Sequence, residues 1–283
     1  MAKIRDLLAQ GPTLSFEFFP PKTDVGITNL REAVDELAPL KPSFISVTYG
    51  AGGSTRDLTR DLVIGMNQDY DFPVMAHLTC VGHTQDQVKE LLDQYAEGGV
   101  ENILALGGDP PADGSDPGGD FTYAIELVEV IRAHGADFSI GVATQPELHP
   151  RSEDRDTDRR HLAEKLEAAD FGVSNFFFDP NDYLLMVEEL ADLGCHTPVL
   201  PGVMLFRDPA GLRRMSAMNQ SKLPIDLDER LDACVDPAAV LDVSVDCGGL
   251  LCERLLAAGV PGLHLFVLNR ADTAKRVLEQ LDR

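Results

Sequence analysis

Eight short apolar, β-prone segments, each followed by a longer helical pattern, predict an α/β chain closed into a (β/α)8 TIM barrel. Most of the segments are near-continuously apolar, as strands covered on both faces should be. An open doubly wound sheet is the runner-up. It would normally announce a GxGxxG turn after its first strand, and the sequence there is FEFFPPK. No linker or low-complexity tract divides the chain, so residues 1–283 read as one barrel domain.

The first strand, Leu14–Phe19, is stopped by Pro20 and Pro21, which lack amide protons. Further strands are expected at Phe44–Tyr49, Val74–Cys80, Asn102–Leu106, Phe138–Ala143, Val173–Phe178, Val199–Leu205 and Leu263–Leu268. Helical periodicity falls between them, at Asn29–Ala38, Thr55–Asn67, Gln85–Glu97, Tyr123–Ala133, Asp158–Ala168, Asn181–Asp192 and Pro209–Met218. A longer helical region, Asp236–Ala258, precedes the last strand, and Ala271–Leu281 closes the chain. Thr84 followed by Gln87 reads as a capping box, and Gly194 and Gly259 fall where helices should stop. The loop from Asp109 to Asp120 is rich in proline and glycine and reads as a candidate lid.

At 283 residues and 44% hydrophobic content the chain has ample material for a core. No run reaches the length of a membrane span and no leader pattern is seen, so a cytoplasmic location is expected. The formal charge of −23 argues against nucleic acid and anionic membrane as partners. An anionic small molecule would need local cations, helix N-termini or backbone amides. The acidic tract around Glu153–Asp156 reads as solvated surface. Five cysteines without a CxxC pair suit reduced thiols, with no metal site, and Cys80 reads as a buried strand-end thiol.

In a barrel, chemistry gathers at the C-terminal ends of the strands. There the sequence places Glu17, then Thr48 and Tyr49 before the flexible Gly50–Gly53, then His77 and Thr79, Gly107-Gly108-Asp109, Thr144-Gln145 with His149, Asn175 with Asp179, and Asn269-Arg270. The seventh strand ends in the apolar Met204-Leu205-Phe206, a candidate wall for a flat ring. Each residue has a plainer role to set against this. Glu17 alone would be a salt-bridged strand-end acid, His77 a satisfied core histidine, Asp109 a turn residue, Asn175 a cap and Arg270 the partner of a helix acid. The set is more telling than its members, because one fold brings all of them to one rim.

FEFFPPK, SVTYGAGGSTRD, HLTC, LGGDPP, HP with a following DxxHLxxK, NFFFD, LPGVM and LNR stand in the order and spacing of the methylenetetrahydrofolate reductases. The chain resembles that family from Leu14 to Arg270, in its bacterial catalytic-domain form. The resemblance implies a barrel that reduces 5,10-methylenetetrahydrofolate to 5-methyltetrahydrofolate with NADH or NADPH, usually through bound FAD. It implies Glu17 as general acid, with a pKa raised by its FEFF surroundings, and Asp109 as the pterin-side aspartate. Asn175 takes the place of a glutamine that binds folate and nicotinamide. Thr48, His77, His149, Asp158 and Lys165 match flavin-pocket positions, with Thr48, Gln145 and Arg270 also on the substrate side.

Three departures bear on the flavin: Gly107 replaces an arginine, Gln145 an aromatic residue, and Asn175 the glutamine. Glycine offers no guanidinium fork, and Gln145 gives no ring to cover a ring or ribose. The expectation is therefore weak or absent flavin and direct hydride transfer from the nicotinamide in a ternary complex. A non-redox pterin-binding barrel and a non-catalytic folate binder are the alternatives. The residues leave a homo-oligomer open and do not choose between NADH and NADPH.

Overall fold

The computed structural model describes residues 2–50, 56–108 and 118–281. Eight parallel strands close into a barrel: β1 (Thr13–Phe18), β2 (Phe44–Val47), β3 (Val74–Thr79), β4 (Asn102–Leu106), β5 (Ser139–Thr144), β6 (Phe171–Phe176), β7 (Val199–Met204) and β8 (Gly262–Phe266). Each pairs with its neighbour in sequence, and β1 pairs with β8 through Ser15 opposite His264 and Glu17 opposite Phe266.

The alternation of side chains along each strand sets the two layers of the core. On β1, Phe16 and Phe18 face outward into the layer shared with Leu30, Val34 and Leu37 of α2 (Asp24–Leu37). Ser15 and Glu17 therefore face inward. Inside the barrel Phe44, Met75, Leu104, Phe171 and Leu200 pack together with Ile4. Ile4 opens α1 (Ile4–Gln10), a helix that the sequence reading did not anticipate. It closes the N-terminal end of the barrel: the Ile4 amide donates to Asn102 Oδ1 at 2.7 Å and the Arg5 amide to Ser139 Oγ at 3.1 Å.

The outer helices are α3 (Arg56–Asp69), α4 (Gln85–Glu97), α5 (Ala124–Ala133), α6 (Arg155–Ala168), α7 (Pro180–Asp192), α8 (Pro209–Asn219), α9 (Ile225–Asp232), α10 (Pro237–Ala257) and α11 (Asp272–Leu281). The Thr84–Gln87 capping box forms as expected. Gly194 and Gly259 stop α7 and α10 with positive φ of 85° and 77°. α2 begins earlier than Asn29 because the Thr23 side chain caps it, accepting from the Gly26 amide. β6 starts at Phe171 rather than Val173, and the ladder to β7 shifts register between Val173 and Phe176. Gly202 permits that irregularity: a Cβ there would lie 2.2 Å from the Ser174 carbonyl oxygen. Such bulges re-aim side chains at functional rims, and Asn175 sits inside this one.

Among the described residues no helix is long and apolar enough to cross a membrane.

Candidate active site

The inward face of β1 carries Glu17 to the mouth of the barrel, where three groups converge on its Oε2. His264 Nε2 lies at 3.1 Å, His77 Nε2 at 3.2 Å, and Ser46 Oγ donates at 3.3 Å. A ring nitrogen this close to a carboxylate carries the proton, so His264 donates through Nε2. Its other nitrogen, Nδ1, is 2.8 Å from Ser15 Oγ. The His264 ring is fully buried, stacked on Phe44 and edge-on to Phe266. His77 is close to Oε2 but not aligned for a hydrogen bond, which leaves its Nε2 without a formal partner.

This arrangement corrects one expectation. The greasy neighbours of Glu17 were to raise its pKa. Burial does push it up, yet the opposing pull of His77 and His264 wins and holds the carboxyl at about 2. Phe16 and Phe18 are adjacent in sequence but point to the other side of the strand. The groups that face Glu17 come from β3 and β8.

The end of β1 is also clamped. Asn269 accepts from the Phe19 amide at 2.9 Å and donates to the Phe19 carbonyl at 2.8 Å. To do so, Leu268 and Asn269 both take left-handed backbone, with φ of 50° and 57°. Asparagine tolerates this region, whereas for leucine it is strained. Arg270 follows at the exposed rim and borders a cleft of about 420 Å³ with Phe19, Pro21 and Asn29. Thr48 lies half-buried past β2, its amide donating to the Phe18 carbonyl at 2.8 Å.

Across the mouth, Asn175 Nδ2 donates to Gln145 Oε1 at 2.6 Å and to Asn219 Oδ1 at 2.9 Å, and Gln145 Nε2 donates to the Asn219 carbonyl at 3.2 Å. Gln145 thus stands in an amide network where the resemblance has an aromatic ring. Buried Arg159 fixes the loop behind it, donating to the carbonyls of Gln145, Pro146 and Glu147. It also pairs with Asp158 at 2.6 Å and Glu189 at 2.8 Å. Asp158 is buried and accepts from Ser152 Oγ at 2.6 Å as well, so its oxygens serve the protein itself.

His149 lies on this side near enough to Lys165 to feel its charge. Both are half-buried, and desolvation lowers the pKa of each. For Lys165 the result is about 8, with Asp158 opposing the shift and Arg151 adding to it. Cys80 is a buried strand-end thiol as expected, its Sγ 3.0 Å from the Gly107 carbonyl, and burial pushes its pKa up to about 11. Asp109, Gly52 and Gly53 and most of the candidate lid lie outside the described residues.

Four residues of the site escaped the sequence reading: Ser46, His264, Arg159 and Asn219. Period-two counting back from the end of β8 would have put His264 on the inner face. Nothing local marks Asn219.

A closed barrel with a carboxylate–imidazole cluster at the strand C-termini defines an enzyme-type site in an α/β barrel. The family can be stated. The chain matches the family described as Methylenetetrahydrofolate reductase over residues 3–282, and it belongs to that family. It is 36% identical over 296 residues to Methylenetetrahydrofolate reductase (NADH) 1 of Arabidopsis thaliana, covering 99% of this chain and 50% of that protein. It is 31% identical over 270 residues to 5,10-methylenetetrahydrofolate reductase of Escherichia coli (strain K12), covering 95% and 90%. The chain spans about half the length of the plant relatives it matches. Among solved structures, an uncharacterized protein from Clostridium thermocellum that binds two copies of 5-methyl-5,6,7,8-tetrahydrofolic acid superposes with a TM-score of 0.70. The two share 13% identity over 98% of this chain and 96% of that one, a likeness of fold.

Proposed function

We propose that this chain reduces 5,10-methylenetetrahydrofolate to 5-methyltetrahydrofolate with NADH. The observation that carries the reading is the Glu17–His77–His264 cluster at the barrel mouth of a chain from the reductase family. Opening the methylene bridge requires a proton at N10, after which the C–N10 bond breaks and an N5 iminium carbon accepts a hydride. An ionised Glu17 is a poor acid by itself. The imidazole N–H groups held against the carboxylate, however, can supply the proton that Glu17 lacks. In this reading the cluster delivers the proton to N10, and Glu17 also stabilises the iminium cation. Asn175 and Gln145, joined to Asn219, orient the pterin or the nicotinamide through their amides, Arg270 and Thr48 contact substrate from the rim, and Asp109 acts as the family's pterin-side acid.

The reductant is taken to pass its hydride directly. FAD is the family's usual relay, and the residues at its positions here fit it poorly. Asp158 is committed to Arg159 and Ser152, Gln145 to an amide network, and position 107 has no side chain. NADH, named in the plant relatives, then occupies that side and needs its reacting carbon within ~3–3.5 Å of the methylene carbon.

The test uses NADH deuterated at the transferred position, in ordinary water, together with the visible spectrum of the purified protein. Direct transfer puts deuterium in the product methyl group and leaves the protein colourless. A stoichiometric yellow flavin, with the label washed out through its exchangeable N–H, would refute the flavin-free part. No NADH oxidation on adding the folate would refute the reductase reading and favour a non-redox folate binder.

A further inference from the structure

We propose that Arg151 supplies the cation that Gly107 lacks, and that Arg151 with Lys165 forms the cradle for the diphosphate of a dinucleotide. This rests on the reductase reading for the ligand class, but the geometry stands apart from it.

The backbone at Gly107 is pinned. Its carbonyl accepts from the Val81 amide at 3.2 Å and from Cys80 Sγ at 3.0 Å. The direction in which a side chain at 107 would leave is therefore fixed. A Cβ there would stand 3.5 Å from Nη2 of Arg151. The guanidinium reaches the mouth of β4 from the loop after β5, rather than from β4 itself. Glycine at 107 leaves that space to the Arg151 guanidinium.

The charges around Arg151 point to an anion. The protein carries 47 acidic against 24 basic residues, and most of its described arginines are paired. Among the described residues no carboxylate lies within ion-pair distance of Arg151 or of Lys165. Asp158, the acid that acts on Lys165, is already taken up by Arg159 and Ser152. His149 completes the corner, its Nδ1 accepting from the Arg151 amide at 3.2 Å. Two cations near enough to repel, neither ion-paired among the described residues, are favoured by an anion that binds between them. The guanidinium fork suits the paired oxygens of a diphosphate. NADH and FAD share that group.

Calorimetry on the full chain distinguishes the sources, using NADH, FAD, ADP and adenosine as probes. Arg151→Ala is expected to weaken NADH and ADP binding about tenfold or more, to leave adenosine within twofold, and to leave the folate KM unchanged. Arg151→Lys should lose about threefold, and Gly107→Arg placed on Arg151→Ala should recover at least part of the loss. If Arg151→Ala does not fold, the Lys variant and the salt dependence of wild-type ADP binding carry the test. Unchanged ADP affinity in a folded Arg151 variant, or equal losses for ADP and adenosine, would overturn the assignment. Tight FAD binding that Arg151→Ala abolishes would support the cradle while overturning the flavin-free reading. A wild type that reduces the folate with NADH but ignores Arg151→Ala would sink this inference alone.

Discussion

Two corners of one barrel mouth handle charge in opposite ways. Around Glu17 the charges are satisfied: one carboxylate oxygen faces two imidazoles and a hydroxyl, with aromatic rings behind them. Around Lys165 they are not: Arg151, Lys165 and His149 stand near enough to act on one another electrostatically, and the nearby acid, Asp158, is spent on Arg159. A saturated cluster positions a proton and resists change. An unsatisfied one waits for a ligand. The same desolvation acts at both corners and gives different outcomes because only the first supplies partners of opposite charge.

The largest effect is expected at the saturated corner. Glu17→Gln should lower kcat by ~10²–10⁴-fold, the usual worth of positioned acid–base chemistry, with both KM values within about threefold. Steady-state NADH oxidation checks this, and an equal rise in KM would mean that Glu17 binds rather than reacts. His264→Phe fills the same space but leaves Ser15 and Glu17 short of a partner, at a cost of about 1–3 kcal/mol in thermal or urea unfolding. It should also let the Glu17 pKa rise from about 2, so a new acidic limb enters the pH–rate profile. A profile unchanged below pH 6 would show that His264 has no hold on the carboxyl.

At the unsatisfied corner, pH acts through Lys165. Its pKa is lowered to about 8, so it is cationic below that value and loses its charge as pH rises through it. Affinity for NADH or ADP should therefore fall several-fold between pH 7 and pH 9, and Lys165→Met should flatten the dependence. Asp158 and Arg151 act on the same group, and His149 nearby, its pKa lowered by burial, titrates below the window used. The smallest effect belongs to the amide network. Asn219→Ala removes one acceptor from Asn175, worth ~1 kcal/mol, or about fivefold in the folate KM.

Much of this was legible in the residues. Eight short apolar runs, most of them near-continuous, pointed to the barrel because parallel strands are covered on both faces. α1 and α9 were not legible, being short segments whose stability comes from docking. The rim residues Glu17, His77 and Asn175 could be found by reading each strand to its end, whereas Lys165, on α6, came only through the family resemblance. The state of Glu17 could not, because its FEFF neighbours face outward while His264 reaches it across 247 positions of sequence. Arg151 was hidden for a related reason. It stands in a charged loop that looks like solvated surface, and its meaning depends on a glycine in another strand.

The separation of the two corners is tested most directly by a double-mutant cycle on Glu17→Gln and Arg151→Ala, with the NADH dissociation constant and the single-turnover hydride-transfer rate measured for each protein. Glu17→Gln should slow transfer and leave NADH affinity within twofold. Arg151→Ala should do the reverse, and the double variant should show both losses, added in free energy to within about 0.5 kcal/mol. Loss of NADH affinity in Glu17→Gln, or a transfer rate in Arg151→Ala as low as in Glu17→Gln, would contradict the division into a proton-handling corner and an anion-holding one.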